Sequence, residues 1–242
     1  MIEKGFTIPC LDHGFVRYID HMGTDLRVVE AARLSYKSPS KGDEADKKLL
    51  SYLWKNKHTS PFEMLKVTLN IKLPIFVMRQ YVRHRMQNLN EVSARYTQLP
   101  NEFYIPENKW RAQDTKNKQG SIADSSESWN PKLARKGMEA SCALRLFCEE
   151  SYALYEDMLA TGIAREMARM VLPLNIYTEI YACWDMKNLL HFITLRDDAH
   201  AQAEIQVYGK SIKQICKELF PWTIECYEKY KWKLIDETSP SS

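Results

Sequence analysis

Hydrophobic and polar positions change period several times along the 242 residues, and each change predicts an element. In "TDLRVVEAARLSY" (24–36), Leu26, Val29, Ala32 and Arg33 fall on one helical stripe, with Thr24 or Asp25 as cap. "DEADKKLLSYLWKN" (43–56) opens with carboxylates, which suit the positive end of a helix, and closes on an apolar set that includes Leu50, Leu53 and Trp54. In "KVTLNIKL" (66–73) the period drops to two. Val67, Leu69 and Ile71 alternate with Lys66, Thr68, Asn70 and Lys72, which predicts a half-buried strand. Pro74 then opens a helix, "IFVMRQYVRHR", because the first helical turn has no use for the missing N–H.

From Asn108 to Asn130 the chain is polar and aperiodic, which predicts a mobile surface loop. "PKLARKGMEASCALRLFCEESYALYEDMLATG" (131–162) reads as one long helix, with Pro131 near its start and Gly162 just past its end. "IAREMARMVL" predicts a short helix stopping before Pro173. "NIYTEIYACW" (175–184) alternates as a second strand, and Asp185 caps a helix through Leu195. "AHAQAEIQVYGKSIKQICKEL" and "PWTIECYEKYKW" complete the chain helically, and no segment repeats. The expectation is one helix-rich α+β domain over 1–242, with a small antiparallel or mixed sheet under the helices.

Net charge is +3 with 27% charged residues, so neither a general nucleic-acid coat nor a membrane coat is implied. Six cysteines are scattered with no C-x-x-C pair, which offers no zinc-finger or redox signature. The N-terminal "MIEKGFTIPCLDHGF" lacks a basic segment followed by an apolar run, and no stretch approaches the roughly 20 apolar residues of a membrane span. A soluble, reducing, cytoplasmic setting follows as the expectation.

The local charge is more informative. "RHRMQNLNEVSARY" (83–96) sets Arg83, His84 and Arg85 side by side and adds Arg95 just after Ser93. On a helix ending at Arg85, Gln80, Arg83 and His84 share a face, and Arg79 lies four residues before Arg83. Arg165 and Arg169 repeat that spacing, and "LRDDAH" adds Arg196 and His200. Guanidinium forks suit phosphate. The plain alternative is a solvated basic face paired with Glu91, Glu166 and Asp197. Several such groups flanked by apolar residues favour an anion site. No G-x-G-x-x-G or P-loop exists, and the cations are not interleaved with exposed aromatics as a stacking platform for nucleic acid requires. A small phosphorylated ligand fits best. "KHTSPFEM" (57–64) adds a second polar knot, with Ser60 and Glu63 spaced as a capping box.

Together these segments resemble the flavin-dependent thymidylate synthases, the ThyX family, whose signature is R-H-R, seven residues, then Ser. Here that is Arg83-His84-Arg85, Met86 to Val92, then Ser93. "AARLSY", "HTSPFE", "AREMARMVLPLNIYT" and "LRDDAHAQAEIQ" extend the resemblance over most of the chain in order. The resemblance implies a homotetramer of ThyX-like subunits with active sites shared between chains. It implies transfer of a methylene from 5,10-methylenetetrahydrofolate to C5 of dUMP, with FAD reduced by NADPH as the hydride carrier.

By similarity, Ser35, Ser60, Glu63, Arg83, His84, Arg85 and Glu91 touch FAD. Gln80, Arg83, Glu91, Ser93, Arg95, Arg169 and Arg196 line the dUMP site, and Arg196 matches the arginine that polarises the uracil ring. His58 and Tyr96 lie on the flavin and folate side. Asp185, Lys187 and His191 stand where some relatives have Asn, Arg and Asn near the flavin, so they join the FAD set. Two other classes compete: a phosphate- or RNA-binding module without catalysis, and a flavin oxidoreductase that oxidises NADPH without methyl transfer.

Overall fold

The computed structural model describes residues 2–115, 117, 118, 120–123 and 129–230. Its centre is a five-stranded antiparallel sheet in the order β1-β2-β3-β9-β4. The strands are β1 (Thr7–Cys10), β2 (Gly14–Met22), β3 (Lys66–Pro74), β4 (Asn88–Glu91) and β9 (Tyr177–Asp185). The alternation predicted for 66–73 and 175–184 sets their register. Val67 faces Trp184, Leu69 faces Ala182 and Ile71 faces Ile180, all buried. Such cross-strand apolar pairs are the unit that stabilises a sheet. The hairpin of β1 and β2 and the edge strand β4 add three strands that the sequence reading did not assign. Val16 and Tyr18 alternating with Arg17 carry the signal for β2.

Helices α1 (Asp25–Leu34), α2 (Asp43–Lys55), α6 (Met186–Arg196), α7 (Ala203–Leu219) and α8 (Pro221–Lys229) contribute to one apolar cluster with the sheet. A second cluster joins α4 (Ala140–Ala160) to the segment 94–105 through Tyr152, Tyr155, Leu99 and Phe103. No helix among the described residues is long and apolar enough to cross a membrane.

Several boundaries depart from expectation, each for a reason outside the local pattern. Helix α1 buries Asp25, Val28, Val29 and Arg33, while Leu26 stays exposed. Its face is turned because Asp25 serves another helix. The carboxylate accepts from Trp222 N (2.9 Å), Thr223 N (3.0 Å) and Thr223 Oγ1 (2.6 Å), and so caps the start of α8. Arg33 belongs to the buried face because it donates to Asp46 of α2 at 2.5 Å.

The expected capping box at Ser60 does not form. Ser60–Met64 is a short 3-10 helix without a side-chain cap, and Glu63 pairs with Lys187 at 3.4 Å. The helix expected over 131–162 begins only at Ala140. Before it lies a hairpin of β7 (Lys132–Leu133) and β8 (Met138–Glu139), turned by Gly137 at φ 66.

The expected loop 108–130 contains a further hairpin, β5 (Arg111–Gln113) with β6 (Ser121–Ala123). Residues 116, 119 and 124–128 of that expectation lie outside the described residues. The helix expected before Pro173 is α5 (Arg165–Ala168) followed by a 3-10 turn over Arg169–Val171.

Candidate active site

After Pro74, helix α3 (Ile75–Tyr81) stops four residues short of Arg85. Its end tightens into i,i+3 turns, Arg83 N to Gln80 O (3.3 Å) and His84 N to Tyr81 O (3.2 Å). Gln80, Arg83 and His84 therefore do not share one helical face as expected. The turn sends His84 inward and leaves Arg83 and Arg85 exposed. The inner wall is aromatic. The His84 ring packs edge-on against Phe192 (centroids 4.9 Å apart) and tilts towards Trp184 (6.5 Å), whose Nε1 donates to Tyr81 Oη at 2.8 Å. The chain then returns as β4 along β9, Asn88 opposite Cys183 and Glu91 opposite Ile180.

His84 meets Arg196, the last residue of α6. Arg196 Nε donates to His84 Nε2 at 3.0 Å. An imidazole nitrogen can accept only when it carries no proton, so His84 is neutral with its proton on Nδ1. Burial first, then the charge of Arg196 and the neighbouring His191, push its pKa down to about 4. No carboxylate, Asp197 and Asp198 included, forms an ion pair with Arg196 among the described residues. Asp197 takes Lys213, and Asp198 takes His200 at 2.8 Å.

Arg196 is held in place from behind by a glycine. A Cβ on Gly209 of α7 would lie 3.1 Å from the Arg196 carbonyl carbon. Glycine inside a helix costs about 1 kcal/mol, and here it permits that close approach.

The histidine makes a pH prediction. Folded His84 takes its proton only near 4, whereas the unfolded side chain takes it near 6.5. Between those values the unfolded state binds more protons, so stability rises with pH and is complete above about 6.5. Urea denaturation between pH 4 and 7 is expected to show His84→Gln losing about one proton's worth of that slope relative to the wild type. Parallel pH profiles for the two proteins would remove the assignment.

Beside β4 lies a cavity of about 300 Å³ that brings together Glu91, Ser93 and Arg169 over an apolar floor of Ile75 and Ile176. Glu91 Oε1 accepts from Thr178 Oγ1 at 2.7 Å. Arg95 is turned to Glu166 at 3.2 Å, both ends exposed. The plain alternative, a basic face paired with Glu91, Glu166 and Asp197, therefore holds only for Arg95 with Glu166. Arg79, Arg83, Arg85, Arg165 and Arg169 are exposed and have no carboxylate partner among the described residues.

The remaining expected positions are dispersed. Ser35 is the exposed C-cap of α1 and Ser60 opens the 3-10 helix, also exposed. Asp185 caps α6, accepting from Asn188 N (2.9 Å) and Asn188 Nδ2 (2.8 Å). Gln80 donates its amide N–H to Gln202 Oε1. His58 is exposed and edge-on to Tyr52, and Tyr96 is 78% exposed.

The family described as thymidylate synthase complementing protein matches residues 17–222. A flavin-dependent thymidylate synthase of Thermus thermophilus is 45% identical over 229 residues, 95% of this chain and 81% of that protein. The chain belongs to the flavin-dependent thymidylate synthases. A Treponema denticola member is likewise 45% identical, over 231 residues and 84% of its length. The Thermosipho africanus member is 43% identical over 94% of its length. The fold is similar to that of a UMP/dUMP methylase from Streptomyces cacaoi bound with 5-Br dUMP. That likeness has a TM-score of 0.78 at 29% identity and covers 92% of this chain and 98% of that one.

Three residues beside this family's motif were not singled out by sequence reasoning. Thr178 reads as one more β-branched strand residue, and Gly209 as a weak point in a helix. Gln202 lies inside "AHAQAEIQ", but its partnership with Gln80, 122 positions away, leaves no local trace.

Proposed function

We propose that the chain reductively methylates dUMP to dTMP, with 5,10-methylenetetrahydrofolate as carbon donor and FAD reduced by NADPH. The observation that carries this reading is the His84–Arg196 pair. With Nε committed to the imidazole, the Nη edge of Arg196 is left without an ion-pair partner among the described residues and can face a ligand.

The residues suit a dinucleotide. Arg83 and Arg85, exposed and without a carboxylate partner among the described residues, are forks for a diphosphate. Ser60, Ser35, Glu63, Lys187, Asp185 and His191 supply further polar contacts, with Asp185 already occupied in capping α6. FAD, when bound and reduced by NADPH, supplies the hydride that turns the transferred methylene into methyl.

Everything else falls to the protein. Arg169 and Ser93 hold the dUMP phosphate beside Glu91. Arg95 joins them by giving up Glu166, since an exposed ion pair contributes only about 0–1 kcal/mol. C5 of uracil is a poor nucleophile, and a thiolate added to C6 would activate it. Burial pushes the thiols of Cys10 and Cys216 up to about 11 and about 12, and it also raises Cys148 and Cys226. Cys142 and Cys183 do not line the cavity of Glu91 and Ser93. Activation then rests on Arg196, whose guanidinium stabilises the negative charge that develops on the N3 edge and its carbonyl oxygen.

Assembly into a homotetramer with shared sites completes the proposal. Beside the candidate site the chain exposes Met86 (67%), Met170 (67%) and Tyr96, and edge strand β4 is exposed along its whole length. Apolar groups left open in this way fit a second copy.

The test is tritium release from 5-tritiated dUMP by purified yellow protein. Release that requires both methylenetetrahydrofolate and NADPH is expected. A yellow protein that oxidises NADPH without releasing tritium would reduce the reading to a flavin oxidoreductase. A colourless protein that still binds phosphate or RNA would sink both.

A further inference from the structure

Helix α6 ends on Arg196, and the end of a helix is where a side chain is held least well. The last carbonyls have no partner within the helix, so the final turn frays unless something outside pins it. The next residue makes this ending less favourable still. Asp197 is the C-cap of α6, with its N–H bonded to Ile193 O at 2.8 Å. A helix C-terminus carries partial negative charge, so it favours a cation there and disfavours a carboxylate. The Asp197 side chain is also only 13% exposed, so dissolved ions screen it little.

The charge is met from α7, where Lys213 donates to Asp197 Oδ2. Gly209 lies one helical turn before Lys213, so both face the end of α6. A Cβ on Gly209 would stand 3.2 Å from the Arg196 carbonyl oxygen and 3.2 Å from the Asp197 nitrogen. The backbone of residues 196 and 197 is therefore pressed against α7 at Gly209 and clamped there by Lys213. At its other end Arg196 is held by Nε, which donates to His84 Nε2 at 3.0 Å. The guanidinium is planar, so fixing Nε and the main chain fixes the direction of the Nη edge.

We propose that Asp197 and Lys213 are positioning residues: their ion pair pins the last turn of α6 to α7 and so aims the Nη edge of Arg196 at the uracil ring. This rests on the reading of Arg196 as the group that stabilises charge on that ring. Misplacing such a group by about 1 Å can lower the rate about a hundredfold. A pair that only joined two helices would contribute to stability and leave the rate alone.

The test uses flavin-loaded Lys213→Met, which keeps the apolar stem and removes the charge, and Lys213→Arg, which keeps the pair. In Lys213→Met, kcat for dTMP formation is expected to fall about ten- to a hundredfold. Bleaching by NADPH and the KM for dUMP are expected to stay within about twofold of the wild type, because Arg196 acts mainly in the transition state. Lys213→Arg is expected to bring kcat back to within about threefold of the wild type.

The second readout does not depend on turnover. NMR of isotope-labelled histidines follows each imidazole against pH, and the signal missing from His84→Gln identifies His84. If Arg196 draws away, His84 loses both a donor to its unprotonated nitrogen and a neighbouring positive charge. It is then expected to take its proton at a higher pH in Lys213→Met than in the wild type, and to return in Lys213→Arg. In an enzyme that makes dTMP, both changes are required. A lower Tm with His84 and kcat unmoved would assign the pair to folding alone, and either change without the other would equally overturn the proposal. Asp197→Asn removes the opposite charge, is expected to show the same two changes, and decides the matter if Lys213→Met does not fold. A wild-type protein that makes no dTMP would remove the dUMP reading, while the His84 titration would still decide whether the pair pins Arg196.

Discussion

Arg196→Ala is expected to keep its flavin, to be bleached by NADPH at the normal rate, and to lose dTMP formation by about a hundred- to a thousandfold. The size of the effect follows from where the charge appears. Ground-state uracil is neutral, so a cation at its N3 edge gains little until C5 begins to attack and negative charge builds on the ring. The loss should therefore fall on kcat more than on dUMP affinity. Arg196→Lys is expected to recover little, because the structure holds Arg196 by Nε to His84 and leaves the planar Nη edge to act. A lysine has one nitrogen and cannot satisfy both sides. Single-turnover kinetics separate flavin reduction from methyl transfer in these variants. A folded, yellow Arg196→Ala enzyme making dTMP at the wild-type rate would falsify the role. Joint loss of flavin and thermal stability would assign the residue to folding.

Arg83→Ala and Arg85→Ala are each expected to give folded, colourless protein. Both guanidinium groups are exposed and unpaired among the described residues, so removing them breaks no internal ion pair and should leave the Tm of the flavin-free protein within about 1 °C. Binding of the diphosphate is another matter. A hydrogen bond to a charged group contributes about 1.5–3 kcal/mol, which is roughly ten- to a hundredfold in affinity. Flavin absorbance against protein concentration, followed by titration with added FAD, measures this directly. Undiminished FAD affinity in both variants would move the diphosphate elsewhere, with Arg79 and Arg165 among the other exposed forks.

The hydrophobic period by itself determined the middle of the molecule. Alternation at 66–73 and 175–184 requires two half-buried strands, and their apolar faces can be satisfied only against helices, which the 3.6-residue patterns at 43–56 and 186–219 supply. The signature from Arg83 to Ser93 was equally plain, because adjacent cations and a spaced serine are a local arrangement.

What lay beyond the sequence was decided by partners distant along the chain. Asp25 looks like the cap of its own helix and caps α8 instead, since the N-terminal amides of that helix reach it only after folding. Helix α3 ends at Tyr81 because His84 turns in towards Phe192 and Trp184, a pocket that residues 84 and 184–192 make together. The polar run after Asn108 offers no period, yet Arg111 within it finds a buried carboxylate 93 positions away. Local periodicity specifies which face of an element is buried. Only the tertiary structure chooses the partner of a charge or an amide, because a hydrogen bond depends on position in space and carries no periodic mark in the chain.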